Sequence, residues 1–193
     1  AVLTVAGTTV TTKTYDGTTA AVVGGGTLLG LVAGDSAYVA LTQSGSFSSP
    51  NAASGISMTM SDSIGAGISG DRSSNYTLTQ PTVTGTINKA NLGITVTGTY
   101  NGSTTFTPTA FTVTGLVTPA SGPNSGVQET ITALTSATVN SANVAANGSN
   151  YVKSIVIATG TASMDNYTIT QARNASSGNT QNTVTLNTAA LTI

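Results

Sequence analysis

The sequence predicts an all-β protein: two tandem β-sandwich modules, immunoglobulin-like or of a related type, with essentially no helix. Three observations carry that expectation. Thr is the commonest residue, 39 of 193, and a β-branched side chain stiff at χ1 suits a strand better than a helix. Apolar residues alternate with polar ones, as at Ile56, Met58 and Met60, and no segment of ten or more residues shows a 3.6-residue apolar period. The chain also repeats itself. Tyr15-Asp16-Gly17-Thr18-Thr19 returns as Tyr100-Asn101-Gly102-Ser103-Thr104, and Asn75-Tyr76-Thr77-Leu78-Thr79-Gln80 returns as Asn166-Tyr167-Thr168-Ile169-Thr170-Gln171. Each opening phrase and its closing phrase bracket one module, 1–88 and 89–193, each of a size to form a small sandwich.

Composition excludes several functions. Charged residues make up 6% of the chain and the net charge is −1, against about 25% charged residues in an average soluble domain. Neither a basic nucleic-acid footprint nor a polybasic membrane patch exists. No apolar run is long enough to span a bilayer. With no Cys and no His, disulfides, thiolate nucleophiles, thiolate metal sites and the commonest general base are all missing. Disorder goes with high net charge and few β-branched residues, the opposite of this chain. No basic start followed by an apolar segment opens it, so Ala1 is expected to be a processing or fragment boundary.

In the first module, Leu3-Thr4-Val5 opens a strand that Thr8-Thr9-Val10 continues past Gly7. Lys13-Thr14-Tyr15 leads into Asp16-Gly17, a turn dipeptide in which Gly accepts positive φ and Asp bonds nearby backbone. The apolar run Ala20–Val23 ends at Gly24-Gly25-Gly26, and Leu28, Leu29, Leu31 and Val32 end at Gly34-Asp35. Tyr38–Leu41 reads as a strand. Ser44–Ser54 reads as a loop carrying Phe47. The Ile56–Met60 alternation is a half-buried strand, and Gly65–Gly70 turns. Tyr76, Leu78 and Val83–Ile87 close the module, with a break at Pro81.

Asn88-Lys89-Ala90-Asn91 joins the modules and is too short for a flexible linker. The second module runs through Ile94-Thr95-Val96, the Asn101-Gly102 turn, Phe106 and Phe111-Thr112-Val113 to Gly115-Leu116-Val117. Pro119–Gly126 is a loop. Ile131, Leu134 and Val139 mark further strands, Asn147-Gly148 a hairpin, and Ile155–Ala158 a central strand. About eight extra residues fall within 173–183. The register then returns: Leu186-Asn187-Thr188-Ala189 matches Ile87-Asn88-Lys89-Ala90, and Leu191-Thr192-Ile193 matches Leu3-Thr4-Val5.

The phrases Lys13–Ala20, Gly34-Asp35, Phe47 and Asn75–Leu78 resemble the YDG-type repeats of large bacterial surface adhesins, among them filamentous-haemagglutinin-like exoproteins. The second module is a divergent copy. It has Asn101 for the Asp, Gly122-Pro123 where Gly-Asp is expected, and no counterpart of Phe47. The resemblance implies extracellular repeats that build stalks or fibres, and it implies no catalytic residue.

The candidate residues are accordingly structural: Tyr15, Asp16 and Gly17, Asn75 and Tyr76, Tyr100, Asn101 and Gly102, Asn166 and Tyr167. In this reading Tyr packs, Asp or Asn and Gly turn, and the closing Asn bonds backbone. Asp16, Asp35, Asp62, Asp71, Glu129 and Asp165 are scattered, without the close oxygen ligands that calcium needs, so neither metal nor cofactor is expected. Sequons at Asn75, Asn101, Asn147, Asn166 and Asn174 are of a number that a Thr- and Asn-rich chain supplies by chance. Few charges are available to guard strand edges.

The expected function is a stalk or spacer repeat of a secreted bacterial cell-surface adhesin or extracellular fibre, located outside the cell and not an enzyme. Its partners would be neighbouring modules or further copies of itself. Two alternatives stay open. One is a filament subunit joined by strand donation. The other is a glycan- or protein-binding module using the Ser44–Ser54 and Pro119–Gly126 loops.

Overall fold

A computed structural model describes residues 1–169 and 182–191. It is all-β, and the helical pieces among the described residues are three single 3-10 turns, Ser73–Asn75, Val144–Ala146 and Met164–Asn166. The chain forms two compact units, Ala1–Asn88 and Lys89–Ile193. Thr170 and Gln171 of the second closing phrase, Asn174, most of the extra 173–183 stretch and the Thr192-Ile193 match lie outside the described residues.

The first unit runs β1 (Val2–Ala6), β2 (Thr9–Val10), β3 (Lys13–Thr14), β4 (Val23–Gly24), β5 (Thr27–Leu29), β6 (Val39–Thr42), β7 (Gly45–Phe47), β8 (Ala53–Met60), β9 (Ser63–Ala66), β10 (Thr77–Leu78) and β11 (Thr84–Asn88). Two sheets carry it, β10-β1-β5 and β3-β11-β8-β7, with the pairs β2-β4 and β6-β9 beside them. Alternation sets the core: Leu3, Val39 and Tyr76 are buried together, with Leu28, Leu31, Ile64 and Leu78 packed against them. Gly7, at φ +77°, interrupts the first strand between β1 and β2, in a conformation Gly adopts without a Cβ penalty.

The second unit runs β12 (Ala90–Thr99), β13 (Thr105–Phe106), β14 (Ala110–Thr114), β15 (Ile131–Val139), β16 (Val152–Gly160), β17 (Tyr167–Ile169) and β18 (Asn182–Asn187). Its sheets are β14-β12-β17, with β18 also on β12, and β13-β15-β16. What the first unit breaks into β1, β2 and β3 is here the single strand β12. Its first half pairs in parallel with β17 (Leu92↔Ile169) and its second half with β18 (Thr99↔Asn187). The first unit has the same two pairings, Leu3↔Leu78 and Thr14↔Asn88.

Several expectations are corrected. Ser44–Ser54 is not one loop: Gly45–Phe47 is β7, Ala53 begins β8, and Phe47 is buried. Ile131, Leu134 and Val139 belong to one strand. Asn147-Gly148 is not a two-residue hairpin, because β15 and β16 are joined by residues 140–151 with a 3-10 turn inside. Ile155–Ala158 is not central: among the described strands β16 lies at the edge of its sheet, and Val156 is exposed. An apolar run fits a buried strand by hydropathy, but half of this one faces solvent. Asn88 and Ala90 are strand residues, which leaves Lys89 alone between β11 and β12.

Candidate functional site

The opening phrase sits at the end of the strand that pairs with the unit's last strand. Tyr15 N–H donates to Asn88 O at 2.8 Å, and Tyr100 N–H donates to Asn187 O at 2.8 Å. The turn follows. Asp16 Oδ1 accepts from Thr18 N–H at 2.9 Å, from the Thr18 hydroxyl at 2.8 Å and from Lys13 Nζ at 2.7 Å. Lys13 also donates to Thr18 O and lies over the Phe47 ring. Partial burial pushes the Asp16 carboxyl up, but the Lys13 and Thr18 donors together outweigh it and hold the group below the usual range. Asn101 makes the same turn without charge: Oδ1 accepts from Ser103 N–H at 2.9 Å and Nδ2 donates to Thr105 O. Gly17 and Gly102 both take positive φ, 73° and 76°, as this turn requires.

The two tyrosines part company here. Tyr15 is 6% exposed and packs as expected, whereas Tyr100 is 45% exposed and does not. The packing beside the turn differs as well. Phe106, in β13 after the turn, is buried in the second unit, and its ring lies where a Cβ on Gly98 would come within 2.3 Å of Cε2. Gly98 stands at the register of Lys13, so the Lys13–Asp16 pair and the Gly98–Asn101 pair are alternative solutions. Phe47 also has a counterpart, found by register rather than identity. Phe47 N–H donates to Thr19 O and Val139 N–H to Thr104 O, both at 2.9 Å. Phe47 packs over Gly85, whose absent Cβ would lie 2.7 Å from Cε1, and Val184 fills that register in the second unit.

The closing phrase builds a tyrosine clamp in each unit. The buried Tyr76 hydroxyl donates to Asp35 Oδ2 at 2.7 Å and accepts from Val32 N–H at 3.1 Å. The buried Tyr167 hydroxyl donates to Glu129 Oε2 and accepts from Val117 N–H at 2.9 Å. The acid expected at Gly122-Pro123 is therefore Glu129, reached by a longer loop. The identical triplets Gly30-Leu31-Val32 and Gly115-Leu116-Val117 are the sequence signal that marks both clamps. Both glycines have positive φ beside a backbone carbonyl, Val2 O or Asn91 O. In the first unit Arg72 donates to Asp35 and stacks on the Tyr38 ring, 4.0 Å from its centroid. The Tyr76 hydroxyl, then Arg72, hold the Asp35 carboxyl below its usual range, and Asp35 in turn raises Tyr76. Of the closing asparagines, Asn166 is buried and Asn75 is exposed.

A further set of residues went unseen in the sequence: side-chain amides that clasp backbone as a strand would. Gln80 accepts from Asp62 N–H and donates to Asp62 O, both at 2.8 Å. Asn147 does this to Leu186 and Asn182 to Val152. In the first unit the corresponding bonds are backbone ladder, Ile87↔Ala53 and Met58 N–H to Val83 O. The second unit has replaced a strand segment by the Val144–Ala146 turn, and two amides supply the lost bonds.

Asp35, Glu129, Asp16, Lys13 and Arg72 are thus occupied with internal partners. No group of three or more metal-ligating residues occurs among the described residues. The buried Asp62 Oδ2 meets no partner among them, but one carboxylate is no cation cage. Among the described residues no helix is long and apolar enough to cross a membrane.

These units, with their parallel first-and-last-strand closure, turn and tyrosine clamp, define a small β-repeat domain. Residues 1–85 match the family model of the YDG domain, so the first unit carries a YDG-type domain. No curated protein and no solved structure gives a match to the chain.

Proposed function

We propose that the chain is a stalk or spacer segment of a secreted bacterial surface adhesin or extracellular fibre, built to carry tension and without enzymatic activity. One observation carries this reading: in each unit the last strand runs parallel to the first. In the second unit the chain comes in at Ala90 and leaves at Asn187, beside Thr99, so the two ends of a ten-residue strand, roughly 30 Å apart, are the points through which the unit is pulled. Tension along that line loads the β12–β18 hydrogen bonds together, in shear, rather than opening them one by one. The YDG match and the scarcity of charge support a place among extracellular repeats.

The Cys-free chain allows a direct test. Handles on Lys89→Cys and Thr188→Cys pull the second unit in shear. Handles on Ser103→Cys and Thr188→Cys pull the same ladder from one end. The stalk reading expects a higher rupture force for the first pair at the same pulling speed, and equal forces would overturn it.

Leu191 favours a second reading, strand donation between subunits. Its counterparts Leu3 and Leu92 are buried, and it is 88% exposed. Oligomers in light scattering that vanish when residues 189–193 are removed would support donation, and a monomer at every concentration would rule it out.

A further inference from the structure

The second unit has an open surface depression of about 550 Å³ lined by Tyr100, Ala142, Asn143, Val144, Thr188 and Ala189. That size falls in the range of small-molecule sites, roughly 300–1,000 Å³. Two departures from the first unit meet at this place. The strand segment Ala53–Ser57 has given way to the 3-10 turn at Val144–Ala146, and the ring that Tyr15 buries is, at Tyr100, turned out to 45% exposure. Phe106 is buried against Gly98, and Tyr100 is a large ring displayed where a polar residue would serve the turn equally well.

We propose that this depression is a binding site for a neutral saccharide, with Tyr100 as the stacking platform. The lining chemistry selects the class. An aromatic face attracts the weakly positive C–H edge of a pyranose as it attracts other positive edges. Asn143 spends its Oδ1 on Ala145 N–H at 2.9 Å, which fixes the amide and leaves Nδ2 as a donor for a sugar hydroxyl. Thr188 offers a hydroxyl, and Ala142, Val144 and Ala189 an apolar floor. Among the described residues no charged side chain lines the depression, so they offer no partner for a uronate, sulfate or sialate group. The platform is held in place: Tyr100 N–H is bonded to Asn187 O at 2.8 Å, and Asn143 N–H to Ser141 Oγ at 3.2 Å. A preformed site loses less entropy on binding. The site adds a contact function to the stalk reading and does not depend on it.

The test uses the whole chain. A glycan array carrying neutral and acidic oligosaccharides finds the class, and saturation-transfer NMR with methyl glycosides of glucose, galactose and N-acetylglucosamine measures the contact. We expect neutral glycans to bind, and Tyr100→Ala to weaken that binding by about tenfold or more, as truncation of an aromatic anchor does. Tyr100→Phe should retain most of the binding, and the melting of the second unit should be little changed because the ring is exposed. Thr188→Ala should weaken binding more mildly. No binding of any neutral glycan, binding of acidic glycans alone, or binding equal in Tyr100→Ala would each overturn the proposal.

Discussion

Replacing Asn182 by Leu tests whether a side-chain amide substitutes for a strand. Asn182 is 4% exposed. Its Oδ1 accepts Val152 N–H at 2.7 Å and its Nδ2 donates to Val152 O at 2.9 Å. Leu has similar bulk and no polar atoms, so Asn182→Leu leaves a buried backbone N–H and C=O without these partners. Each unsatisfied group costs about 1–3 kcal/mol, and the added apolar burial returns on the order of 1 kcal/mol, for a net loss of roughly 3 kcal/mol. In urea, with a slope of about 2 kcal/mol/M, the midpoint of the second unit should fall by about 1.5 M at unchanged slope. In a domain near 100 residues the melting temperature should fall by roughly 10–20 °C. Asn182→Asp keeps the acceptor but sets a carboxylate against Val152 O, and should cost at least as much. The transition of the first unit is the internal control, because its equivalent bond runs to the backbone of Val83. A midpoint shift worth less than about 0.5 kcal/mol, the size of an ordinary surface change, would refute the claim that the amide replaces ladder hydrogen bonds.

Two more predictions follow from the clamp and from the packing of Phe106 against Gly98. Because Tyr76 and Arg72 lower the folded-state value of Asp35, its contribution to stability is present above the unfolded value, about 3.9, and is lost as pH falls through the lower folded value. Melting of the first unit followed from neutral pH to about pH 2 should drop most steeply below about pH 4. Asp35→Asn should flatten that drop, and an unchanged profile would show that Asp35 does not set it. Gly98→Ala drives a Cβ to 2.3 Å from Phe106 Cε2 and should destabilise the second unit by about 1–3 kcal/mol, the usual cost of overpacking. Phe106→Leu should restore part of that loss in the double variant, a coupling read from a double-mutant cycle in urea, and strict additivity would contradict the packing.

Much of the fold was legible because strands announce themselves locally. Leu3, Val39, Ile56, Tyr76 and Ile87, all buried, stand in short alternating runs bounded by Gly, Asp-Gly or Pro. The turns were legible because Asp16 and Asn101 bond their own backbone two residues on. What was hidden depended on partners distant in sequence. Glu129 could not be read as the mate of Tyr167, because it follows Val117 by twelve residues where Asp35 follows Val32 by three. Asn147 and Asn182 looked like loop residues because an amide carries no mark of the backbone it will clasp. Tyr100 misled most, because its identity with Tyr15 suggested the same burial.

That last error points to how the module changes. Lys13 with Asp16 in one unit and Gly98 with Asn101 in the other, Phe47 over Gly85 in one and Val139 with Val184 in the other, are sets in which gain at one position answers loss at its neighbour. Close-packed interiors tolerate volume exchange within a set far better than change at a single site. The constraint therefore falls on the sum and on the backbone register, not on the residue. A copy can lose most of its identity and keep the parallel closure of its first and last strands. With Phe106 buried against Gly98 and Tyr100 turned outward, the Tyr100 ring is available for the proposed saccharide contact.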